Sequence, residues 1–92
     1  MRIMLQDYDD NPIIYSVKSC SIEKESYTFY FTTMDNAIYK IVVDKKYGYV
    51  DWENIMNSIL QDDYYSFYQL LGCKVYAYSN IIKEWIDIKE DN

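Results

Sequence analysis

The 92-residue sequence contains no histidine, and this absence excludes much of the chemistry that enzymes commonly use. Histidine is the usual general base, the usual activator of a nucleophile and the commonest metal ligand. The two cysteines, Cys20 and Cys73, are too few to complete a zinc site without it. Since Gly48 and Gly72 are the only glycines, the chain also cannot form a phosphate-binding loop or a dinucleotide fingerprint. We therefore expect a protein that is not an enzyme and that binds no cofactor or metal.

Long apolar segments are also missing from the sequence. Residues 1–5 run directly into Gln6 and Asp7, so no signal peptide is indicated. No apolar run approaches the roughly 20 residues that cross a bilayer. Cys20 and Cys73 are too few for a disulfide scaffold, and each lies in an apolar stretch, which predicts two buried and unbridged thiols. We therefore expect a cytoplasmic protein that does not contact a membrane.

Basic residues are in the minority. The chain has 15 acidic and 9 basic residues, which gives a formal net charge of −6 at pH 7. A surface of this sign repels nucleic acid and attracts positively charged partners. The charge therefore favours a protein partner with a basic surface over direct binding to nucleic acid. The alternative is that the charge only keeps the domain soluble.

The first half of the chain has the alternating pattern of β-strands. In the clearest segment, residues 27–32, Phe29 and Phe31 share one face while Tyr30 points to the other. Turn-forming residues, among them Asp35 and Asn36, separate this segment from its neighbours. The strands predicted in this way span residues 2–7, 13–19, 27–32 and 37–43. Together they predict an antiparallel meander.

The hydrophobic period changes from that of a strand to that of a helix near Asp51. Asp51 is a suitable N-cap, and apolar residues then follow at helical spacing. The predicted buried face of this helix consists of Trp52, Ile55, Met56, Ile59 and Leu60. A second short helix is predicted after Asp63, with Gly72 at its C-terminal end. The apolar face of the second helix consists of Tyr64, Phe67, Tyr68 and Leu71.

The C-terminal part contains one clear strand and one ambiguous segment. Residues 73–78 alternate in the manner of a strand. Residues 80–89 fit either a helix behind Asn80 or a strand, and their β-branched content favours the strand. Together the segments predict one α+β domain over residues 1–92. Its expected form is an antiparallel sheet of about five or six strands with one or two short amphipathic helices on one face.

Two short motifs match a binding chemistry only in part. Asp7, Asp9 and Asn11 match three ligand positions of a calcium loop, but the required glycine and the final glutamate are missing. We interpret this segment as a solvated turn. Residues 45–49 combine lysines with tyrosines, a weak signal for stacking on single-stranded nucleic acid. We interpret them as a turn with Gly48 at a positive φ angle.

The twelve tyrosines are the positive feature of the composition. Tyrosine is enriched at protein interfaces, because its ring offers a large contact area while its hydroxyl tolerates water. The alternative is that tyrosine replaces Phe and Leu around a small core. Acidic residues in polar segments accompany the tyrosines that we expect to point outward. The predicted partner-binding residues are Glu23, Glu25, Tyr30, Asp62, Asp63, Tyr64, Tyr65 and Tyr68.

These observations predict a non-enzymatic, acidic and tyrosine-rich protein-binding module. Small inhibitors from phages and mobile elements, among them anti-CRISPR and other anti-defence proteins, share this general size and charge. The leading hypothesis is an inhibitor that docks on a basic surface of a nucleic-acid-processing or host-defence protein. A second hypothesis is a structural or assembly module of a phage or bacterium that self-associates through an exposed strand edge, for example as a homodimer. A third is an enzyme of unforeseen type that uses carboxylates and tyrosines.

Overall fold

A computed structural model of the chain describes residues 1–6, 11–47, 50–68 and 72–88. Most of them belong to strands, which are β1 (Arg2–Gln6), β2 (Pro12–Glu23), β3 (Thr28–Thr33), β4 (Ile38–Val43), β5 (Tyr64–Tyr68), β6 (Cys73–Ser79) and β7 (Glu84–Asp87). The helical elements are α1 (Trp52–Asn57), the π-helical segment that continues it (Ser58–Asp62) and a 3-10 turn (Lys45–Tyr47). The described chain is therefore mostly sheet, with one short α-helix.

The strands form one mixed sheet of seven strands in the order β5-β1-β2-β3-β4-β6-β7. Neighbouring strands run antiparallel except for β1 and β5, which are parallel, with Ile3 opposite Tyr65. The prediction of an antiparallel sheet with about five or six strands is therefore wrong in strand number and in the direction of one strand. The difference arises at β5, which forms from the segment predicted as a second helix.

The segment after Asp63 is a strand because of pairing that its local sequence does not encode. Asp63 adopts a left-handed conformation, with a φ angle of 62°, and this ends the π-helical segment before it. The side chains then alternate, so that Phe67 is buried and Tyr68 is exposed. Hydrogen bonding to β1, far earlier in the sequence, fixes this conformation. Gly72, predicted as a helix end, lies in the turn before β6 with a φ angle of 85°.

Strand β2 belongs to two parts of the sheet, because its first half pairs with β1 and its second half with β3. The register with β3 shifts between Val17 and Ser19, so that Lys18 is an extra residue. Such a β-bulge bends its strand. The bend carries β1 and β5 over the inner face of the remaining strands. The rings of Phe29 on β3 and Phe67 on β5 consequently lie 5.3 Å apart, although β1 and β2 separate these strands in the sheet.

The core lies between these two parts of the sheet and against the helix. Its buried hydrophobic residues are Ile3, Leu5, Val17, Phe29, Phe31, Ile41, Val43, Trp52, Ile55, Ile59, Phe67, Cys73 and Val75. Within the described residues, each of β1 to β6 contributes at least one of them, whereas β7 contributes none. The attachment of β7 to the sheet therefore depends on contacts outside this core.

Helix α1 begins where the sequence predicts. The carboxylate of Asp51 accepts a hydrogen bond of 3.0 Å from the backbone N–H of Asn54, as an N-cap does. The buried members of the predicted apolar face are Trp52, Ile55 and Ile59. Leu60 is 70% exposed, so its predicted burial is wrong. Ile59 and Leu60 both lie in the π-helical segment, whose wider turn departs from the α-helical spacing on which the prediction rested, and Met56 of α1 is half-buried.

The ambiguous C-terminal segment forms strand β7. It pairs with β6 in antiparallel register, with Trp85 opposite Tyr78. The turn between the strands is closed by a hydrogen bond of 2.8 Å from the N–H of Lys83 to the carbonyl of Ser79. Lys83 has a φ angle of 60°, which reverses the chain direction. The alternative of a helix behind Asn80 is therefore wrong.

Candidate protein-binding surface

Four aromatic side chains and one lysine lie together on the face of the sheet opposite the core. Strand pairing places Tyr30 of β3, Lys40 of β4 and Tyr76 of β6 in one row across the sheet. Tyr78 of β6 and Trp85 of β7 form the neighbouring row. The residues between them along each strand point to the other face, since side chains alternate. We call Tyr30, Lys40, Tyr76, Tyr78 and Trp85 the outer aromatic cluster.

Trp85 connects the members of this cluster. It belongs to the edge strand β7, yet its ring lies 6.1 Å from the ring of Tyr30 on β3, with β4 and β6 between the two strands. The indole therefore extends across the outer face rather than away from it. It also meets the ring of Tyr78 edge to face at 5.3 Å, a favourable geometry for aromatic pairs. These ring contacts attach β7 to the rest of the sheet.

Lys40 places its ammonium group over two rings of the cluster. Its Nζ lies 4.6 Å from the centroid of Trp85 and 5.3 Å from the centroid of Tyr76. Both distances lie within the range of a cation–π interaction. The ion pairs within the described residues join other groups, and none involves Lys40. The contacts of Lys40 with the rings are therefore cation–π contacts and not an ion pair, while Asp87, opposite Tyr76, lies in the same row of the outer face.

The carboxylate of Glu23 lies at the β2 side of the cluster. Ser26 Oγ donates a hydrogen bond of 2.7 Å to Glu23 Oε1, and the hydroxyl of Tyr30 lies 3.5 Å from the same atom, at the limit of a hydrogen bond. Burial, the charge of Glu23 and this hydrogen bond raise the pKa of Tyr30 above its usual value. The Tyr30 phenol therefore stays neutral at physiological pH and can donate to the carboxylate.

A shallow groove of about 220 Å³ adjoins Tyr30 on the same outer face. It lies over the pairing of β2 with β3, where Ser21 is opposite Tyr30 and Ser19 is opposite Thr32. All four of these residues carry a hydroxyl group, and the rest of the lining comes from Cys20, Phe31 and Ile38. The outer face thus offers a groove of hydrogen-bonding groups next to a surface of aromatic rings.

The three tyrosines of β5 that were predicted to bind a partner do not share one face. Tyr64 and Tyr68 point outward beside β1, where the hydroxyl of Tyr64 lies 3.3 Å from Met4 Sδ. Tyr65 points inward, and its ring meets that of Phe67 at 4.9 Å. The alternation of a strand replaces the short helix on which the prediction had placed all three tyrosines. Tyr64 and Tyr68 also belong to a different part of the sheet from Tyr30.

The predicted acidic residues are divided between the two parts of the sheet as well. Asp62 and Asp63 end the helical region before β5, and the carboxylate of Asp63 lies 3.2 Å from the amino group of Met1. Glu25 is exposed in the turn between β2 and β3, two residues after Glu23. Of the eight predicted binding residues, the structure therefore brings Glu23 close to Tyr30, with Glu25 in the adjoining turn. The other five lie in or next to β5.

Lys40 and Trp85 are members of the cluster that sequence reasoning missed. The outward orientation of Tyr76 and Tyr78 follows from the alternation of residues 73–78, which the sequence does show. The segment of Trp85 is compatible with helix or strand, and Lys40 is one charged residue in an alternating strand. Only the register between β4, β6 and β7 brings these side chains together, and register cannot be deduced from one sequence.

Both cysteines are free thiols, as the sequence predicts. Cys73 is buried, whereas Cys20 is only half-buried, so the predicted burial is confirmed for Cys73 alone. Burial raises the pKa of Cys73 to about 11, and it also raises the pKa of Cys20. Because the thiolate is the reactive form of cysteine, neither residue is activated as a nucleophile at neutral pH.

A second open pocket, of about 300 Å³, is lined by residues of β2, of β4 and of the turn between β3 and β4. The ring of Tyr15 lies 4.9 Å from the ring of Tyr39 there, and 5.2 Å from the ring of Phe31. Burial and the proximity of Tyr39 raise the pKa of Tyr15 to about 12. A hydrogen bond from the hydroxyl of Thr33 lowers the pKa of Asp35. The phenol therefore stays protonated and the carboxylate stays ionised, so neither is tuned for proton transfer at neutral pH.

Neither a metal-ligand cluster among the described residues nor a known relative indicates a function for this chain. Among the described residues, no group of three or more acidic or cysteine side chains could hold a metal ion. Residues 7–10 of the predicted turn at residues 7–12, and the predicted φ angle of Gly48, lie outside those residues. In the part of the chain that the structure describes, no helix has both the length and the apolar character needed to cross a membrane. Comparisons with protein-family models, with curated proteins and with solved structures each found no match to this chain.

Proposed function

We propose that the protein is a non-enzymatic binding module that docks on a basic surface of a nucleic-acid-processing or host-defence protein and blocks it. The observation that carries this proposal is the outer aromatic cluster, in which Trp85 and three tyrosines are held together on the face opposite the core. Tryptophan and tyrosine are the residues most enriched among binding hot spots. Rings that are already fixed by one another lose little conformational entropy on binding, which favours affinity.

The charge of the chain supports a basic partner. A net charge of −6 speeds the approach of a positively charged surface and disfavours partners of the same sign. A surface that binds nucleic acid is basic, so an acidic protein that covers it competes with the natural ligand. We also place this function in the cytoplasm, where two free thiols remain reduced.

Direct binding to single-stranded nucleic acid is the competing interpretation of an aromatic sheet face. Such sites combine stacking rings with a positively charged groove. Here the face carries Lys40, but its ammonium group is directed to Trp85, and the chain as a whole repels phosphates. Glu23 adds a negative charge to the same face. These charges favour a protein partner over a nucleic acid.

A self-associating assembly module is the second candidate function. The observation in its favour is the edge strand β7, which exposes Ile86 and is flanked in the chain by the exposed Ile82 and Ile88. Apolar residues at an open strand edge favour pairing with another chain. The two candidates use different surfaces, since one uses the outer rings and the other the backbone edge of β7.

The test measures binding of the purified chain to a panel of nucleic-acid-processing and defence proteins with basic surfaces. Tyr78→Ala should weaken binding to the interacting member by at least about fivefold, because truncation of a hot-spot residue costs more than about 1 kcal/mol. Tyr68→Ala is the matched control, since Tyr68 is also a surface tyrosine but lies on β5. It should leave the affinity unchanged.

Three results would contradict the proposal. The first is an equal loss of affinity for Tyr78→Ala and Tyr68→Ala, and the second is a panel in which no basic protein binds. The third is tight binding of the chain to DNA or RNA itself. Circular dichroism of both variants shows whether a loss of affinity comes from the surface or from unfolding.

A further inference from the structure

The outer face carries a carboxylate next to a groove that is rich in hydroxyl groups. The groove, of about 220 Å³, has Ser21 opposite Tyr30 and Ser19 opposite Thr32. Glu23 follows two residues after Ser21 and points to the same face of β2. Tyr30 connects the two features, because it lines the groove and its hydroxyl lies 3.5 Å from Glu23 Oε1.

The negative charge of Glu23 is not neutralised within the described residues. Its carboxylate accepts hydrogen bonds from Ser26 and Tyr30, and none of the ion pairs there involves it. Lys40 lies on the same face but is directed to Trp85 instead. The carboxylate therefore remains available to a cation from outside the chain.

We propose that this groove binds the side chain of one arginine from the basic partner, an inference that rests on the function proposed above. A guanidinium carries five N–H donors in a plane. The groove offers hydroxyl oxygens as acceptors, and the Glu23 carboxylate lies outside its lining, next to the hydroxyl of Tyr30. The ring of Tyr30 offers a surface on which the guanidinium plane stacks. The volume lies below the roughly 300 Å³ at which pockets for drug-sized ligands begin, so it suits a single side chain.

Other ligands fit the groove less well. A lysine ammonium is a point charge with three donors, and it cannot stack on Tyr30 as a planar group does. Phosphate and other anions are repelled by Glu23, which forms no ion pair within the described residues. An uncharged peptide group would leave the carboxylate without a counter-charge. Arginine is therefore the side chain that uses both the shape and the charge of this groove.

The test uses the full 92-residue chain and three capped tripeptides, in which arginine, lysine or citrulline stands between two glycines. Citrulline resembles arginine in shape but carries no charge. Backbone amide shifts are recorded by NMR as each peptide is added to millimolar concentration. The arginine peptide should shift the amides of Ser21, Tyr30 and Thr32, and it should bind more tightly than the other two peptides.

Two variants identify the group responsible for binding. Glu23→Gln keeps the hydrogen-bond acceptors and removes the charge, so it should lower the affinity for the arginine peptide by about two- to fivefold, the effect of an exposed ion pair. Glu53→Gln is the matched control, since Glu53 is an exposed carboxylate on α1, and it should leave the affinity unchanged. Equal effects of the two variants, equal shifts from citrulline, shifts centred elsewhere, or no shifts at all would each overturn the proposal.

The arginine site and the docking surface can fail separately. If Tyr78→Ala weakens docking on a partner while the arginine peptide shifts no groove residue, the arginine site is wrong and the docking surface stands. If the arginine peptide binds at Glu23 while no partner depends on Tyr78, the proposed docking surface is wrong instead.

Discussion

Single residue types have several roles in this chain, and tyrosine shows this most clearly. Tyr15 lies half-buried against Phe31 and Tyr39 on the inner side of the sheet. Tyr30 belongs to the outer face, and Tyr68 is 41% exposed on β5. The two interpretations of the tyrosine content, contact with a partner and packing in a small core, therefore both apply, each to different residues. The alternation of each strand decides which role a given tyrosine takes.

We expect the protein to lose stability between about pH 10 and about pH 12, and we expect part of that loss to depend on Tyr15. Burial raises the pKa of Tyr15 from 10.0 to about 12, so the folded state holds this proton more tightly than the unfolded state. The resulting stabilisation is fully present below pH 10 and is lost as the pH rises through about 12. Tyr15→Phe should therefore show a smaller alkaline loss. Urea unfolding at successive pH values measures the effect.

The control for this prediction is another tyrosine, and a buried cysteine explains the loss that should remain. Tyr68→Phe removes an exposed hydroxyl and should leave the alkaline loss as large as in the original chain. Part of the loss should also remain in Tyr15→Phe, because burial raises the pKa of Cys73 from 9.0 to about 11 in the same direction. Parallel loss of stability in Tyr15→Phe and in the original chain would contradict the assignment to Tyr15.

Among the elements, the helical region shows how narrow a buried stripe can be. The N-cap at Asp51 sets the start of α1, where Trp52 and Ile55 face the core at α-helical spacing, and the π-helical segment that follows adds Ile59. Ile59 lies inside the stripe and is 1% exposed, whereas Leu60 lies beside it and is 70% exposed. Adjacent positions of nearly equal size therefore have opposite environments.

We expect Ile59→Ala to lower the free energy of unfolding by about 2–5 kcal/mol, since truncation of a buried isoleucine leaves a cavity in the core. Leu60→Ala is the matched control and should change the free energy of unfolding by less than about 0.5 kcal/mol. Urea unfolding of the two variants provides both values. Similar losses for the two would mean that the helical segment turns a different face to the sheet.

The elements that the sequence predicts are those decided by neighbouring residues. Strands β3, β4 and β6 follow from alternation, and α1 follows from its cap and period. Strand β5 does not, because Phe67 and Tyr68 fit a helical spacing from Tyr64 as well as they fit a strand, and pairing with the distant β1 decides between them. The candidate site depends on register still more strongly. Trp85 and Tyr30 meet across two intervening strands, and no local pattern in the sequence indicates that contact.

For the whole molecule, the open edges of the sheet and the net charge have opposite effects on self-association. β7 is an edge strand that exposes Ile86, with Ile82 and Ile88 beside it. Such an edge favours pairing with a second copy. Against this, β7 has only four residues and includes Glu84 and Asp87, and two copies with a net charge of −6 repel each other. These features favour a monomer that binds a partner of opposite charge.

We expect the chain to scatter light as a monomer of 11.1 kDa over a hundredfold range of concentration, at low and at high salt. Salt separates the two candidate functions because it acts on them in opposite directions. It screens charges over about 8 Å at physiological ionic strength, and so weakens docking on a basic partner but assists association of two acidic copies. Ile86→Lys adds a charge to the edge of β7 and should leave the monomer mass unchanged. A mass that rises with concentration and with salt, and returns to that of the monomer in Ile86→Lys, would favour the assembly module over the inhibitor.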